Sequence, residues 1–153
     1  MINFALTADA VAPQLLGCTL THAGVSIRLT EVEAYLGAED SAAHTFNGKT
    51  PRNAAMFGPP GRFYVYISYG IHRNVNIVCA PEGTGQGCLL RGGEIIEGAD
   101  TAFARRGTSD FHNLARGPGN LGKALGFTLE DNHQPIQIIE RTTEPEWVRG
   151  PRI

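Results

Sequence analysis

From Val25 the chain alternates in polarity: Val25, Ile27 and Leu29 are apolar, while Ser26, Arg28 and Thr30 between them are polar. A strand sends successive side chains to opposite faces, so this run predicts a strand over Val25–Tyr35 with Val25, Ile27 and Leu29 toward the core. A pleat that continues without a bulge then carries Glu31, Glu33 and Tyr35 to that same inward side. Two carboxylates would point the way the hydrophobic residues point. A second alternation, RFYVYISYG from Arg62, places Phe63, Val65, Ile67 and Tyr69 on one side and Tyr64, Tyr66 and Ser68 on the other. The return run HRNVNIVCA is again strand-like, so residues 62–80 predict an antiparallel hairpin turning near Tyr69–His72. Phe63, Tyr64, Val65 and Ile67 read as packing residues. Tyr69 stands at the tip, where an aromatic ring is costly unless something covers it.

The remaining elements are shorter. ADAVAPQLL predicts a helix over residues 8–16, with Thr7 as N-cap and Gly17 as its stop. Cys18–Thr21 is a strand candidate, joined to Val25 by the turn His22-Ala-Gly24. Gly48–Gly61 contains three prolines and three glycines and predicts a loop with at most one helical turn. Gly83–Gly87 is a turn, Cys88–Arg91 a short apolar strand, and IQIIER from Ile136 a final strand. GPGN from Gly117 leads into a short helix, LGKALG, opened by Pro118. Strands and helices mix without regular βαβ alternation, which points to an α+β fold.

At 153 residues and 16.4 kDa the chain fits one domain, residues 1–153. A hydrophobic share of 42% and a charged share of 18% describe an ordinary globular protein. No apolar run reaches the roughly 20 residues of a membrane helix, and the N-terminus lacks a signal pattern, so a cytoplasmic protein without a membrane partner is expected. Cys18, Cys79 and Cys88 form no CxxC and cannot all pair, which fits buried thiols in a reducing compartment. The net charge of −2 hides a gradient. Residues 1–48 carry one Arg against five acids, residues 49–123 nine Lys/Arg against five acids, and residues 124–153 three Arg against five acids. A basic middle between acidic ends is compatible with a polyanion on one face, though scatter in a small sample is an equally good account.

Most catalytic signatures are missing. The histidines and cysteines show neither HExxH nor CxxC, and there is no GxSxG or P-loop. Lys49 and Lys123 lie in no apolar run that would activate an amine. GPGNLG is glycine-rich without the phosphate-binding fingerprint, though its helix start could touch one backbone phosphate. The chemistry that remains is the pair Glu31 and Glu33, flanked by Tyr35 and His44. Beside it, Tyr69 followed by His72 and Arg73 could form a wedge between base pairs with polar residues for the backbone; plain packing is the alternative.

The segments EVEAYLGAEDSAAHTF, TPRNAAMFGPPGRFYVYISYGIHRNVNIV, LLRGGE and GPGNLGKALG closely resemble the methylpurine (alkyladenine) DNA glycosylases. The resemblance runs from about residue 8 to Ile153 and is most specific between Glu31 and Asn76. It implies a single α+β domain with a mixed, mainly antiparallel curved sheet, a protruding hairpin and short flanking helices. It implies a monomer without cofactor or metal whose partner is duplex DNA carrying damaged purines. On the matching positions, Glu33 is the carboxylate that activates water, and Arg91 lies beside it. Tyr35, His44 and Tyr66 hold the flipped base, and the bulk of Asn76 opposes the exocyclic amine of guanine. Tyr69 fills the vacated stack, and Ile71, His72 and Arg73 complete the DNA contact. Glu31 becomes a supporting residue, paired with an arginine. Two departures stand out. Asn120 occupies a position that is commonly basic, and members of the family continue past the Gly-Pro-Arg-Ile153 stretch with a segment that completes the sheet and lines the pocket. Two other readings stay open from the sequence: a non-catalytic binder of damaged DNA, and an unrelated carboxylate-pair enzyme whose hairpin aromatics are merely core.

Overall fold

The computed structural model describes residues 1–153. Helix α1 (Ala8–Leu15) leads into β1 (Thr19–His22) and β2 (Val25–Tyr35), which form a tight hairpin through Ala23 and Gly24. Strands β3 (Phe63–Ser68) and β4 (His72–Cys79) form a second hairpin, and β5 (Gln86–Glu97) follows. Helices α2 (Ala99–Arg106) and α3 (Pro118–Ala124) precede the two-residue β6 (Ile138–Ile139). The strands make one sheet in the order β3-β4-β5-β2-β1-β6, and every ladder in it is antiparallel. The α+β expectation holds.

One face of the sheet carries the core. Val11 and Leu15 of α1, Ala102 of α2 and Leu121 and Leu125 at α3 pack with Ile27, Leu29, Val65, Ile77 and Leu90. On the opposite face a smaller cluster joins Ala55 and Met56 of the 48–61 loop to Tyr64 and Val78, with Tyr66 at its margin. That second face holds the candidate chemistry.

The opening alternation does not continue unbroken along β2. Leu29 pairs with Gly93 and Glu31 with Gly92, which leaves Thr30 as an extra residue; Val32 then pairs with Leu90, which leaves Arg91 extra on β5. The two offsets cancel in register, yet each reverses the in–out order along its own strand. Val25, Ile27 and Leu29 face the core before the irregularity, and Val32 and Ala34 pack against it afterwards. Glu33 and Tyr35 therefore point to the other face, not to the core side as an uninterrupted pleat predicts. Glu31, at the bulge, keeps half of its side chain in solvent.

Other boundaries moved for identifiable reasons. Strand β5 runs from Gln86 to Glu97, well past Arg91, because Gly92 and Gly93 let β2 approach closely. A Cβ on Gly93 would lie 2.9 Å from both the Arg28 carbonyl oxygen and Ile27 Cδ1. Helix α2 gave little signal, since Ala102 is its only buried residue; it begins and ends at Gly98 and Gly107, both left-handed. The final strand shrinks to two residues because the chain then leaves the sheet as an arm over residues 140–153. Arg141 ties that arm down by donating to the carbonyls of Pro13 and Leu16 at the end of α1. The glycines of GPGNLG serve packing: a Cβ on Gly122 would run into the Arg73 carbonyl, and one on Gly119 would lie 2.6 Å from His72 Nδ1.

Candidate active site

Glu33 is 8% exposed and sits at the centre of the second face. Burying a carboxylate is costly unless it is hydrogen-bonded or paired, and Glu33 is both. The Tyr35 hydroxyl donates to Oε1 at 3.3 Å, and the Ile153 backbone N–H donates to Oε2 at 3.0 Å. Arg91, the bulged residue of β5, places Nη1 3.6 Å from Oε1 and donates from Nε to Glu31 at 2.9 Å. Glu31 is thus the arginine-paired neighbour that the resemblance implied. Burial, then the negative charge of Glu33, pushes the Tyr35 phenol up to about 12, so it stays a donor at neutral pH.

A ring group stands next to the carboxylate. Tyr66 and His44 lie 4.2 Å apart between centroids, and Tyr64 is 5.6 Å from Tyr66. His44 is held from two sides: its Nδ1 lies 3.2 Å from the Tyr64 hydroxyl, and Asn53 donates to its carbonyl. Burial, reinforced by the Arg52 charge, lowers the His44 pKa, which favours a neutral imidazole. Asn76 is buried beneath these rings and donates to the Tyr64 carbonyl at 3.3 Å. Asn74, its neighbour on the same face of β4, donates to the Tyr66 hydroxyl at 3.2 Å.

The structure places Glu33, Arg91, Tyr35, His44, Tyr66 and Asn76 on one face of four adjacent strands and the loop that follows β2. Tyr69, Ile71, His72 and Arg73 lie apart, at the tip of the β3–β4 hairpin. Tyr69 is 93% exposed and Ile71 72% exposed, so neither is core. Tyr69 also has φ of 51°, an uncommon conformation for a bulky residue and one that persists only where the surroundings enforce it.

Sequence reasoning missed a second set of contacts, made by residues far apart in the chain. Arg152 engages both oxygens of Asp40, donates to the Ala34 carbonyl and lies 4.6 Å from the Tyr35 ring centroid. The arm that carries it borders a cleft of about 1390 Å³ along β2 and α1. That cleft is lined by Glu33 but not by Tyr35, His44 or Tyr66. Arg152 holds the Asp40 carboxyl down at about 2, aided by the backbone N–H groups of Leu36 and Ala42 and opposed by burial. A depressed carboxyl stabilises the fold above its unfolded value, and that contribution is lost as pH falls through the folded one. Denaturant midpoints should therefore fall between pH 3.8 and about 2, and Asp40→Asn should flatten that fall while lowering stability at neutral pH. An unchanged acid profile in Asp40→Asn would contradict this.

Residues 3–153 match the family described as methylpurine-DNA glycosylase. A protein of Corynebacterium efficiens, named as a proposed 3-methyladenine DNA glycosylase, is 66% identical over 99% of this chain and 83% of its own length. One of Corynebacterium glutamicum with the same name is 63% identical over 99% of this chain and 84% of its own length. A Rhodopseudomonas palustris protein, again so named, is 48% identical over 98% of this chain and 75% of its own length. The buried carboxylate, the ring group and the exposed hairpin tip therefore sit in a chain that belongs to the methylpurine-DNA glycosylase family.

Proposed function

We propose that the protein excises alkylated purines from duplex DNA by hydrolysing the N-glycosidic bond with a water activated by Glu33. The observation that carries this reading is a buried, hydrogen-bonded carboxylate beside a ring group on a sheet face, with an exposed aromatic hairpin tip three residues along the chain from Tyr66. Alkylation at N3 or N7 leaves the purine cationic and a good leaving group. Bond cleavage then builds positive charge at C1′, as in sugar hydrolysis. Glu33 takes the proton of the attacking water while its charge stabilises the developing cation. Arg91, held by Glu31, orients that carboxylate from the side.

The rings bind the flipped base. Faces of Tyr35 and Tyr66 attract a cationic purine, each contact contributing on the order of 0.5–2 kcal/mol. A neutral His44 joins them without adding a like charge. Asn76 occupies the floor where the exocyclic amine of guanine would press, which disfavours undamaged DNA. Tyr69 enters the duplex, and Ile71, His72 and Arg73 follow the flanking strand. No cofactor takes part in this chemistry.

The test is a duplex with one alkylated purine, incubated with the protein in EDTA. Base release should proceed, and the product should be an intact abasic strand that breaks only on alkali treatment. Binding without release would make the protein a damage-recognition module. A requirement for one divalent ion, or a covalent adduct trapped by borohydride, would replace the water mechanism with another.

A further inference from the structure

We infer that Arg152 is a positioning residue for the hydrolytic step: it orients both oxygens of Glu33 through the two groups that donate to them. This rests on the reading of Glu33 as the carboxylate that activates water. Oε1 of Glu33 accepts from the Tyr35 hydroxyl, and Oε2 accepts from the Ile153 N–H. Arg152 holds each of those donors. Its guanidinium lies 4.6 Å from the centroid of the Tyr35 ring, and its own backbone immediately precedes the Ile153 N–H.

The guanidinium is itself anchored on three sides. Nη2 donates to Asp40 Oδ1 at 2.8 Å, Nη1 reaches Oδ2, and Nη1 also donates to the Ala34 carbonyl at 3.0 Å. Asp40 is fixed in turn by the N–H groups of Leu36 and Ala42, each at 3.1 Å. The anchor therefore spans the residues just before and just after Tyr35 and closes on the arm. A forked guanidinium meets these demands together; an ammonium can pair with Asp40 but cannot cover the ring and reach the carbonyl in the same geometry.

The consequence for the reaction is rotational. A carboxylate with a donor on each oxygen cannot spin about its terminal bond, so its remaining lone pairs keep one direction toward the water. A misplacement of about 1 Å in such a group can cost on the order of 100-fold in rate. A residue that only fastens the arm would affect folding and DNA binding but would have no separate effect on the bond-breaking step.

The experiment is single-turnover base release from an alkylated duplex by the full chain, with wild type, Arg152→Met, Arg152→Lys and Asp40→Asn. Binding to a duplex with a stable abasic analogue and the melting temperature are measured alongside. Arg152→Met should slow release at saturating enzyme by roughly 10- to 100-fold while the half-saturating concentration and analogue binding stay near wild type. Arg152→Lys should recover part of that rate. Asp40→Asn keeps the side-chain shape, weakens the anchor and should show the same split, so it carries the test if Arg152→Met does not fold. Release at wild-type rate in Arg152→Met or Asp40→Asn, or a fall in rate matched by an equal fall in binding, overturns the inference. A wild-type chain that releases no alkylated base overturns the proposed function itself, and the inference with it.

Discussion

Glu33→Gln will abolish base release and leave binding to a stable abasic analogue intact. The amide has nearly the shape of the carboxylate, so the site keeps its packing on a residue that is 8% exposed. It loses the negative charge and the basicity. General-base help contributes about 100- to 10,000-fold and a preorganised charge about 100- to 1,000-fold, so the combined loss should leave release near background. Part of the amide is also mismatched, since the Ile153 N–H donates to one oxygen and the Arg91 guanidinium stands 3.6 Å from the other. That makes some loss of stability expected, and melting temperature must be read beside the rate. Single-turnover release near the wild-type rate would remove Glu33 from the mechanism. Glu31→Gln should be the milder change, because Glu31 is half exposed and touches Glu33 only through Arg91. The opposite ranking would mean that the other carboxylate does the chemistry.

Tyr69→Ala will weaken binding to damaged duplex and slow excision most where the lesion is well paired. Flipping a base leaves a hole in the stack, and reclosure competes with capture. Unstacking costs a few kcal/mol, so a ring in the hole can shift the flipping equilibrium by about one or two orders of magnitude. The defect should shrink when the lesion faces a mismatch, where extrusion is already easier. Because the ring is 93% exposed, its removal should leave the melting temperature unchanged. A large drop in melting temperature, with every substrate impaired equally, would sink the wedge.

The hairpins and the faces of Phe63, Tyr64 and Tyr66 were legible in the sequence because alternation with period two survives wherever one face is buried. Phe63 and Tyr64, expected as packing residues, are both buried, and Tyr69 stands at the tip as read. Helix α2 was not legible: it buries one alanine, and its boundaries depend on two left-handed glycines rather than on a hydrophobic stripe. The orientation of Glu33 was misread for a different reason. A bulge is a property of two paired strands, and neither strand alone announces it; the glycines at 92 and 93 were the only local sign. The anchor between Asp40 and Arg152 joins residues 112 apart, a distance over which no local pattern speaks.

The compensated bulges of β2 and β5 divide each strand into two phases, one ahead of Thr30 or Arg91 and one behind it. Core face and opposite face are thus set by a count of residues as much as by their identity. Removing Thr30 would erase its bulge: Val32 would stand two positions from Leu29 on the core side, with Glu33 and Tyr35 still opposite, but Arg91 would be left unmatched on β5. Removing Arg91 as well would restore uninterrupted pairing with both faces kept, at the loss of the guanidinium beside Glu33. In the regular stretches of these strands a one-residue insertion or deletion would instead carry every later side chain to the other face, whereas a substitution acts on one side chain alone. Variation in length should therefore be confined to loops such as Gly48–Gly61, where no strand has to keep count.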